Sequence, residues 1–262
     1  MSLGVEVQTH PRADGEVLVF VLHGRTALNV IGSESLRAGA ATIRHAAASP
    51  SVRCAVLAGP TPGSFIGGAD LKELGALTAA TAEAFIRSIH DFCTALREFP
   101  TPVIARIAGH CLGGGLEIAA ACDLRVAASD SRFGMPEVRV GVPSVIEAAL
   151  LPTLIGWGRT RELLLRGHLI DAQTAQTIGL VEQVANPATL DAALAVVVDD
   201  ILAGAPGAIR AQKKLLQRWE QLPLEAAIEA GVAAFVDAYH TTEPATYAAR
   251  FFARRAPPER AP

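Results

Sequence analysis

Two glutamates stand where chemistry can use them. Glu117 lies in GGGLEIAAACD (113–123), between three glycines and a run of small apolar residues. Carboxylates are seldom fully buried unless paired, yet this run has the composition of a buried helix. Glu137 lies in FGMPE (133–137). Two glutamates in one small apolar pocket can divide the roles of acid and base. Taken singly, Glu117 would be an acid at a helix start, stabilised by the dipole, and Glu137 a surface loop acid. Neither explanation accounts for both carboxylates beside glycine-rich turns.

Those turns are FIGGADL (65–71) and LGGGLE (112–117). Each follows an apolar, strand-like segment and precedes a helical one. Glycine lets a backbone come close to a ligand, and N–H groups at a helix start are free donors aligned with the helix dipole. One N–H from each turn, converging on a single oxygen, would make an oxyanion hole. The alternative is that both turns only permit tight packing, because glycine-rich turns are common loop punctuation.

Other chemistries lack their motifs. No G-x-G-x-x-G is present, since the sixth position counted from Gly113 is Ile118, and no P-loop follows any strand. There is no G-x-S-x-G elbow. The seven histidines are dispersed without an HExxH pair, so no metal site is expected, and His110 reads as a satisfied polar side chain. Cys54, Cys93, Cys111 and Cys122 sit in apolar contexts without CxxC spacing. They read as buried reduced thiols of a cytoplasmic protein, not as disulfides or zinc ligands.

The segments that must position these residues alternate in type. EVLVFVLH (16–23), VRCAVLAG (52–59), VIARIAG (103–109) and DLRVAAS (123–129) read as buried strands, with VEQVA (181–185) the last candidate. SESLRAGAATIRHAAA (33–48) and TAEAFIRSIHDFCTALREF (81–99) read as helices, the second with Phe85, Ile89, Phe92 and Leu96 at three- and four-residue steps. This is an α/β layout with largely parallel strands. From Ala188 to Arg255 the chain reads as helices broken at 203–207, 222–223 and 241–244. The expected division is therefore a core over 1–187 and a helical region over 188–262.

Length and charge set outer limits. The chain has 262 residues, half of them hydrophobic, enough for one large domain or one domain with a small appendage. Net charge is −3 with scattered basic residues, which gives no nucleic-acid footprint. The basic stretch RFFARRAPPER (250–260) reads as a solvated tail. No apolar stretch reaches transmembrane length, and MSLGVEVQTHPRADGE has neither the basic nor the apolar region of a secretory signal. No membrane or nucleic-acid partner is expected.

FIGGADLKEL (65–74), AGHCLGGGLEIAAACDLRVAASDSRFGMPEVRVGVP (108–143) and IDAQTAQTIGLVEQV (170–184), in that order, resemble the crotonase family, the enoyl-CoA hydratase/isomerase superfamily. The resemblance spans nearly the whole chain. It implies a spiral of repeated ββα units followed by a helical trimerisation region, with homotrimers that often stack into hexamers. It implies an acyl-CoA thioester substrate, with coenzyme A part of the substrate and no separate cofactor. By residue matching, the N–H groups of Ala69 and Gly114 form the oxyanion hole.

Hydratases of the family carry both glutamates. There Glu117 would help deprotonate a water attacking Cβ and Glu137 would deliver a proton to Cα, a syn addition. The turn HGRTALNVIG (23–32) matches the place where CoA packs against backbone, which makes Arg25, Ala27 and Leu28 candidate CoA contacts, Arg25 with a solvated role as its alternative. Gly68, Asp70, Leu71 and Gly113 are the other candidate substrate contacts, Asp70 more as a cap than as a chemical group. Lys213 and Lys214 are either a CoA phosphate contact from a neighbouring subunit or a solvated face. A Δ3,Δ2-enoyl-CoA isomerase, another crotonase-type hydrolase, decarboxylase or lyase, and an inactive CoA-binding scaffold are the alternative functions.

One segment departs from the family. Its hydratases continue after the second glutamate with a stretch of the type PGAGGTQ, whereas this chain has PSVIEAALLP (143–152). Ser144 and Glu147 have the S-x-x-E spacing of a capping box for the next helix. The alternative is that Glu147 is a pocket acid that alters substrate or chemistry.

Overall fold

The computed structural model describes residues 4–60 and 64–255. Residues 1–3, residues 61–63 in the turn that leads to FIGGADL, and residues 256–262, most of them in the basic tail, lie outside that description.

The chain begins with a hairpin of β1 (Gly4–Arg12) and β2 (Gly15–His23), antiparallel from Gly4 opposite His23 to Arg12 opposite Gly15. Helix α1 (Ser33–Ala46) follows. Then come β3 (Val52–Ala58), β4 (Ser64–Ile66), α2 (Leu71–Gly75) and α3 (Ala79–Arg97). The next unit is β5 (Val103–Ile107), β6 (His110–Leu112) and α4 (Gly114–Ala121). It is followed by β7 (Leu124–Ala128), β8 (Arg132–Gly134), two 3-10 turns (Pro136–Val140 and Ile146–Leu150) and α5 (Leu151–Arg166). Strand β9 (Leu169–Asp171), α6 (Ala172–Thr177), β10 (Gln183–Ala185) and α7 (Leu190–Ala203) complete this part. Helices α8 (Pro206–Trp219), α9 (Leu224–Ala238) and α10 (Glu243–Arg255) end it.

Each repeat lays one long strand in one sheet, one short strand in a second sheet, and then a helix. The long strands form the order β1-β2-β3-β5-β7-β10 and the short ones the order β4-β6-β8-β9. From β2 onward the long strands pair in parallel, as do β4 with β6 and β6 with β8. This is the expected spiral of ββα units. All seven residues of β3 are buried, which is why its sequence is a near-continuous apolar run with Arg53 as its one charged member. On α3 the expected stripe of Phe85, Ile89, Phe92 and Leu96 is the buried face. The ring of Phe99 meets Phe20 of β2 edge-on at 5.5 Å.

The short strands were not separable from turns by sequence, because three residues are too few to show a period. Strand β1 also escaped the reading. It is an edge strand, exposed along most of its length, and it carries Pro11, which an edge tolerates.

Every residue of α4 is buried. Its last carbonyls therefore cannot turn to water and need donors from the protein. Arg125 of β7 supplies them. Its side chain is 2% exposed; Nη1 donates to the carbonyls of Ala119 (3.2 Å) and Cys122 (3.0 Å), and Nε to that of Leu180 (2.9 Å). Nη2 pairs with the carboxylate of Glu182, which also accepts the Arg125 N–H at 2.7 Å.

The chain divides into two compact units at Asp199/Asp200, inside α7, whereas the change from alternating to all-helical sequence falls at 187/188. In the second unit α8 packs on α9, and Trp219 Nε1 donates to the Ala227 carbonyl at 2.8 Å. Glu243 accepts the N–H groups of Gly207 and Ala208 at the start of α8. The breaks between these helices fall where the sequence placed them. Lys213 and Lys214 do not share a solvated face: Lys213 is buried and Lys214 exposed, as opposite sides of one helix require. Among the described residues no single helix is long and apolar enough to cross a membrane.

Replacing Arg125 by Leu removes its hydrogen bonds to three carbonyls, of which Ala119 keeps the Cys122 N–H, and leaves Glu182 without its guanidinium partner. We expect this to cost about 2–4 kcal/mol of unfolding free energy, read from the urea midpoint.

Candidate active site

Strands β4, β6 and β8 lie side by side and parallel, so their C-terminal ends reach one edge of the small sheet. Ile66 is opposite Cys111, and Leu112 is opposite Gly134. Just past these ends come Ala69, Gly114 and Glu137. The Gly113 N–H donates to the Gly134 carbonyl at 2.9 Å and ties the second and third ends together.

The first turn is clamped by the segment after β2. Asn29, 1% exposed and at φ +54°, donates through Nδ2 to the carbonyls of Leu22 (3.0 Å) and Phe65 (2.6 Å) and accepts the Gly24 N–H (2.6 Å). The Ile31 N–H donates to the Gly68 carbonyl at 2.9 Å, and the Asp70 N–H donates to the Ile31 carbonyl at 2.8 Å. This parallel bridge occupies the groups on either side of the Ala69 N–H and turns that N–H to the opposite side. Asp70 caps α2 by accepting the Lys72 N–H at 2.9 Å, as its position suggested. Arg25, half exposed, donates to Asp70 Oδ2 at 3.2 Å. Ala27 is exposed; its carbonyl accepts from the Ser64 hydroxyl. Leu28 and Leu71 flank the turn with 48% and 62% of their surface open.

The second turn opens α4. Gly113 has φ +53° and ψ −125°, a conformation costly for a side-chain-bearing residue, and a Cβ on it would run into Glu137 Oε1. Gly114 is the first residue of the helix. Among the described residues neither the Ala69 N–H nor the Gly114 N–H has an acceptor within the protein. The Gly114 donor also sits at the positive end of the α4 dipole.

Glu117, in the first turn of α4, is 4% exposed. Its Oε1 accepts the Ala148 N–H at 3.1 Å. Burial pushes its pKa up to about 8, against the N–H groups of Ala148 and Val145, and the charges of Glu137 and Glu147 add to the rise. Glu137 stands in the first 3-10 turn and is half-buried. Its carboxyl also lies above the usual range because of burial, opposed by its own N–H and by Ser144. The Ser144 hydroxyl donates to Glu137 Oε2 at 2.8 Å. The two carboxylates named from sequence thus share one site with both glycine turns.

The capping box expected of Ser144 and Glu147 does not form. Ser144 turns to Glu137, and the cap position of the next 3-10 turn is Val145, without a side-chain hydrogen bond. Glu147 is 6% exposed, and Oε1 lies 2.7 Å from His90 Nδ1 of α3. The fully buried Cys93 thiol has its pKa raised, first by burial and then by the charges of Glu147 and Glu117, so both acids act on one small interior region. Directly before Glu147, Ile146 adopts φ +41°. A β-branched residue there is strained by about 1–3 kcal/mol.

Sequence reasoning missed Asn29, Arg125, His90 and the Ala148 N–H. Asn29 and Arg125 lie in stretches that resemble the family, but the role of each of the four is recognised only through the groups it meets. Ser144 was seen, but with the wrong acid as its partner.

A model of the enoyl-CoA hydratase/isomerase family matches residues 12–259. The chain belongs to that family. It is 31% identical to a short-chain-enoyl-CoA hydratase of Clostridium acetobutylicum, over 88% of each chain. It is 30% identical to a crotonyl-CoA hydratase of Syntrophomonas wolfei, over 84% of this chain and 85% of the other. Its fold superposes on a crystal structure of an enoyl-CoA hydratase from Bacillus anthracis with a TM-score of 0.87, at 27% identity over 97% of this chain and 98% of that one.

Because the folded protein raises the Glu117 pKa, folding favours its protonated form. That contribution is complete below the ordinary carboxylate pKa and is lost as pH rises through about 8. Glu117→Gln removes the dependence. Thermal melts at pH 5 and pH 9 are expected to show the variant gaining on the wild type at the higher pH.

Proposed function

We propose that the protein is a 2-enoyl-CoA hydratase, adding water syn across the conjugated double bond of the thioester. The observation that carries this is the pair Glu117 and Glu137, both beside the Gly113–Gly114 turn, with two N–H donors that have no acceptor among the described residues. The thioester oxygen sits between the Ala69 and Gly114 N–H groups. Their pull draws electron density from Cβ and stabilises the enolate that forms when hydroxide adds there. The open apolar faces of Leu28 and Leu71, with the half-exposed Arg25, suit the pantetheine and phosphates of coenzyme A.

The two carboxyls share one proton. In the ligand-free protein it rests on Glu117, the more deeply buried of the two. With a water between them, Glu117 passes its proton to that water, which passes another to Glu137. Glu117 then takes a proton from the water as its oxygen bonds to Cβ, and Glu137 gives its proton to Cα. The cycle ends with the proton on Glu117, where it began. Both bonds form on the face that carries the acids, so the addition is syn. Glu147 is a pocket acid in this reading and shapes the acyl group that is accepted. An apolar stripe on α9, Leu224, Ile228, Val232 and Phe235, is exposed at helical spacing and suits assembly as a homotrimer or a hexamer of stacked trimers. The four buried free cysteines suit a cytoplasmic location.

The test is loss of the enoyl-thioester absorbance of crotonyl-CoA, with mass spectrometry for the gain of one water. Glu117→Gln and Glu137→Gln are each expected to lower kcat by at least about a hundredfold while acyl-CoA binding persists. Wild-type turnover in both variants would defeat the two-glutamate assignment. The pH profile of kcat/KM is expected to fall above about 8, where Glu117 of the free protein ionises and the pair loses its single proton.

A further inference from the structure

We propose that Ser144 is a positioning residue for the hydration, holding Glu137 so that Oε1 is the oxygen that protonates Cα. This rests on the hydratase reading above.

The two oxygens of Glu137 have different surroundings. Oε2 accepts the Ser144 hydroxyl at 2.8 Å. Oε1 lies against the α-carbon of Gly113, so close that a Cβ there would overlap it. Gly113 directly precedes Gly114, whose N–H holds the thioester oxygen. Cα is one bond from that carbonyl carbon, so the oxygen beside Gly113 is the one within reach of it. Glu117 is held from the other side, by the Ala148 N–H, and serves Cβ.

Ser144 reaches Glu137 because the chain turns back on itself. The Gly141 N–H donates to the Glu137 carbonyl, and so does that of Val142, at 3.2 Å. Gly141 adopts φ +85° to make this possible. Without the hydroxyl, the plane of the carboxyl is no longer fixed, and the proton can rest on the oxygen turned away from Cα. Binding of the thioester does not use this contact, so the effect falls on the chemical step.

The experiment compares wild type, Ser144→Ala, Ser144→Thr, Glu137→Gln and the double variant Ser144→Ala/Glu137→Gln. Hydration of crotonyl-CoA gives kcat and KM. Deuterium uptake at Cα of butyryl-CoA in heavy water reports proton transfer by Glu137 without any addition at Cβ. Ser144→Ala is expected to lower kcat and the exchange rate roughly ten- to a hundredfold, with KM within about twofold of wild type. Ser144→Thr, which keeps the hydroxyl, is expected to recover most of both rates. In the Glu137→Gln background the loss of Ser144 is expected to cost little more, because both changes act through one carboxyl.

Wild-type rates in Ser144→Ala, a rise in KM alone, failure of Thr to rescue, or full additivity in the double variant would each overturn the role of Ser144 while leaving the hydratase reading intact. Absence of hydration in the wild type would instead overturn the reading on which the proposal rests.

Discussion

The buried guanidinium of Arg125 holds the far end of α4, and the near end of α4 presents the Gly114 N–H. A short helix of small residues has little side-chain bulk with which to anchor itself. Placed wholly inside the protein, it also cannot satisfy its last carbonyls with water. Arg125 answers both needs, since it bonds two of those carbonyls and reaches across to Leu180 and Glu182. The direction of the helix, and hence of its dipole and of the Gly114 N–H, is set by a residue on the following strand. Small residues matter at the other end for the same reason. At Gly115 a Cβ would come within 2.5 Å of the Ile66 carbonyl oxygen, so only glycine lets the helix start lie against β4.

The acid pair depends on a different short stretch. Between residues 144 and 148 the chain gives a hydroxyl to Glu137, an N–H to Glu117 and a carboxylate to the interior nearby. Burial pushes both acids toward their neutral forms, and the hydrogen bonds resist that push at each acid separately. A shared proton needs such an arrangement. Two carboxylates left to water would both ionise, and two left to burial alone would both stay neutral.

Much of this was legible in the amino-acid order. The near-continuous apolar run of β3 and the stripe on α3 are direct consequences of burial on both faces and on one face. The glycine turns and both glutamates could be named because their residue types are rare in such surroundings. The short strands β4, β6, β8 and β9 could not, because the evidence for a strand only three residues long lies in its neighbours. The partners of the acids were hidden for a related reason. Ser144 and Glu147 have the spacing of a local cap, and only the tertiary placement of Glu137 and His90 decides that each side chain looks elsewhere. Arg125 lies in a strand read as buried, but its role could not be named, since the acceptors of its guanidinium lie up to 57 positions away.

Ile146 gives this site a history as well as a geometry. A branched residue at positive φ is held there by its surroundings and would relax if replaced by glycine. Such a change eases the folded backbone and loosens the two residues that follow it, including the amide that grips Glu117. Selection for robustness and selection for turnover therefore pull this position in opposite directions.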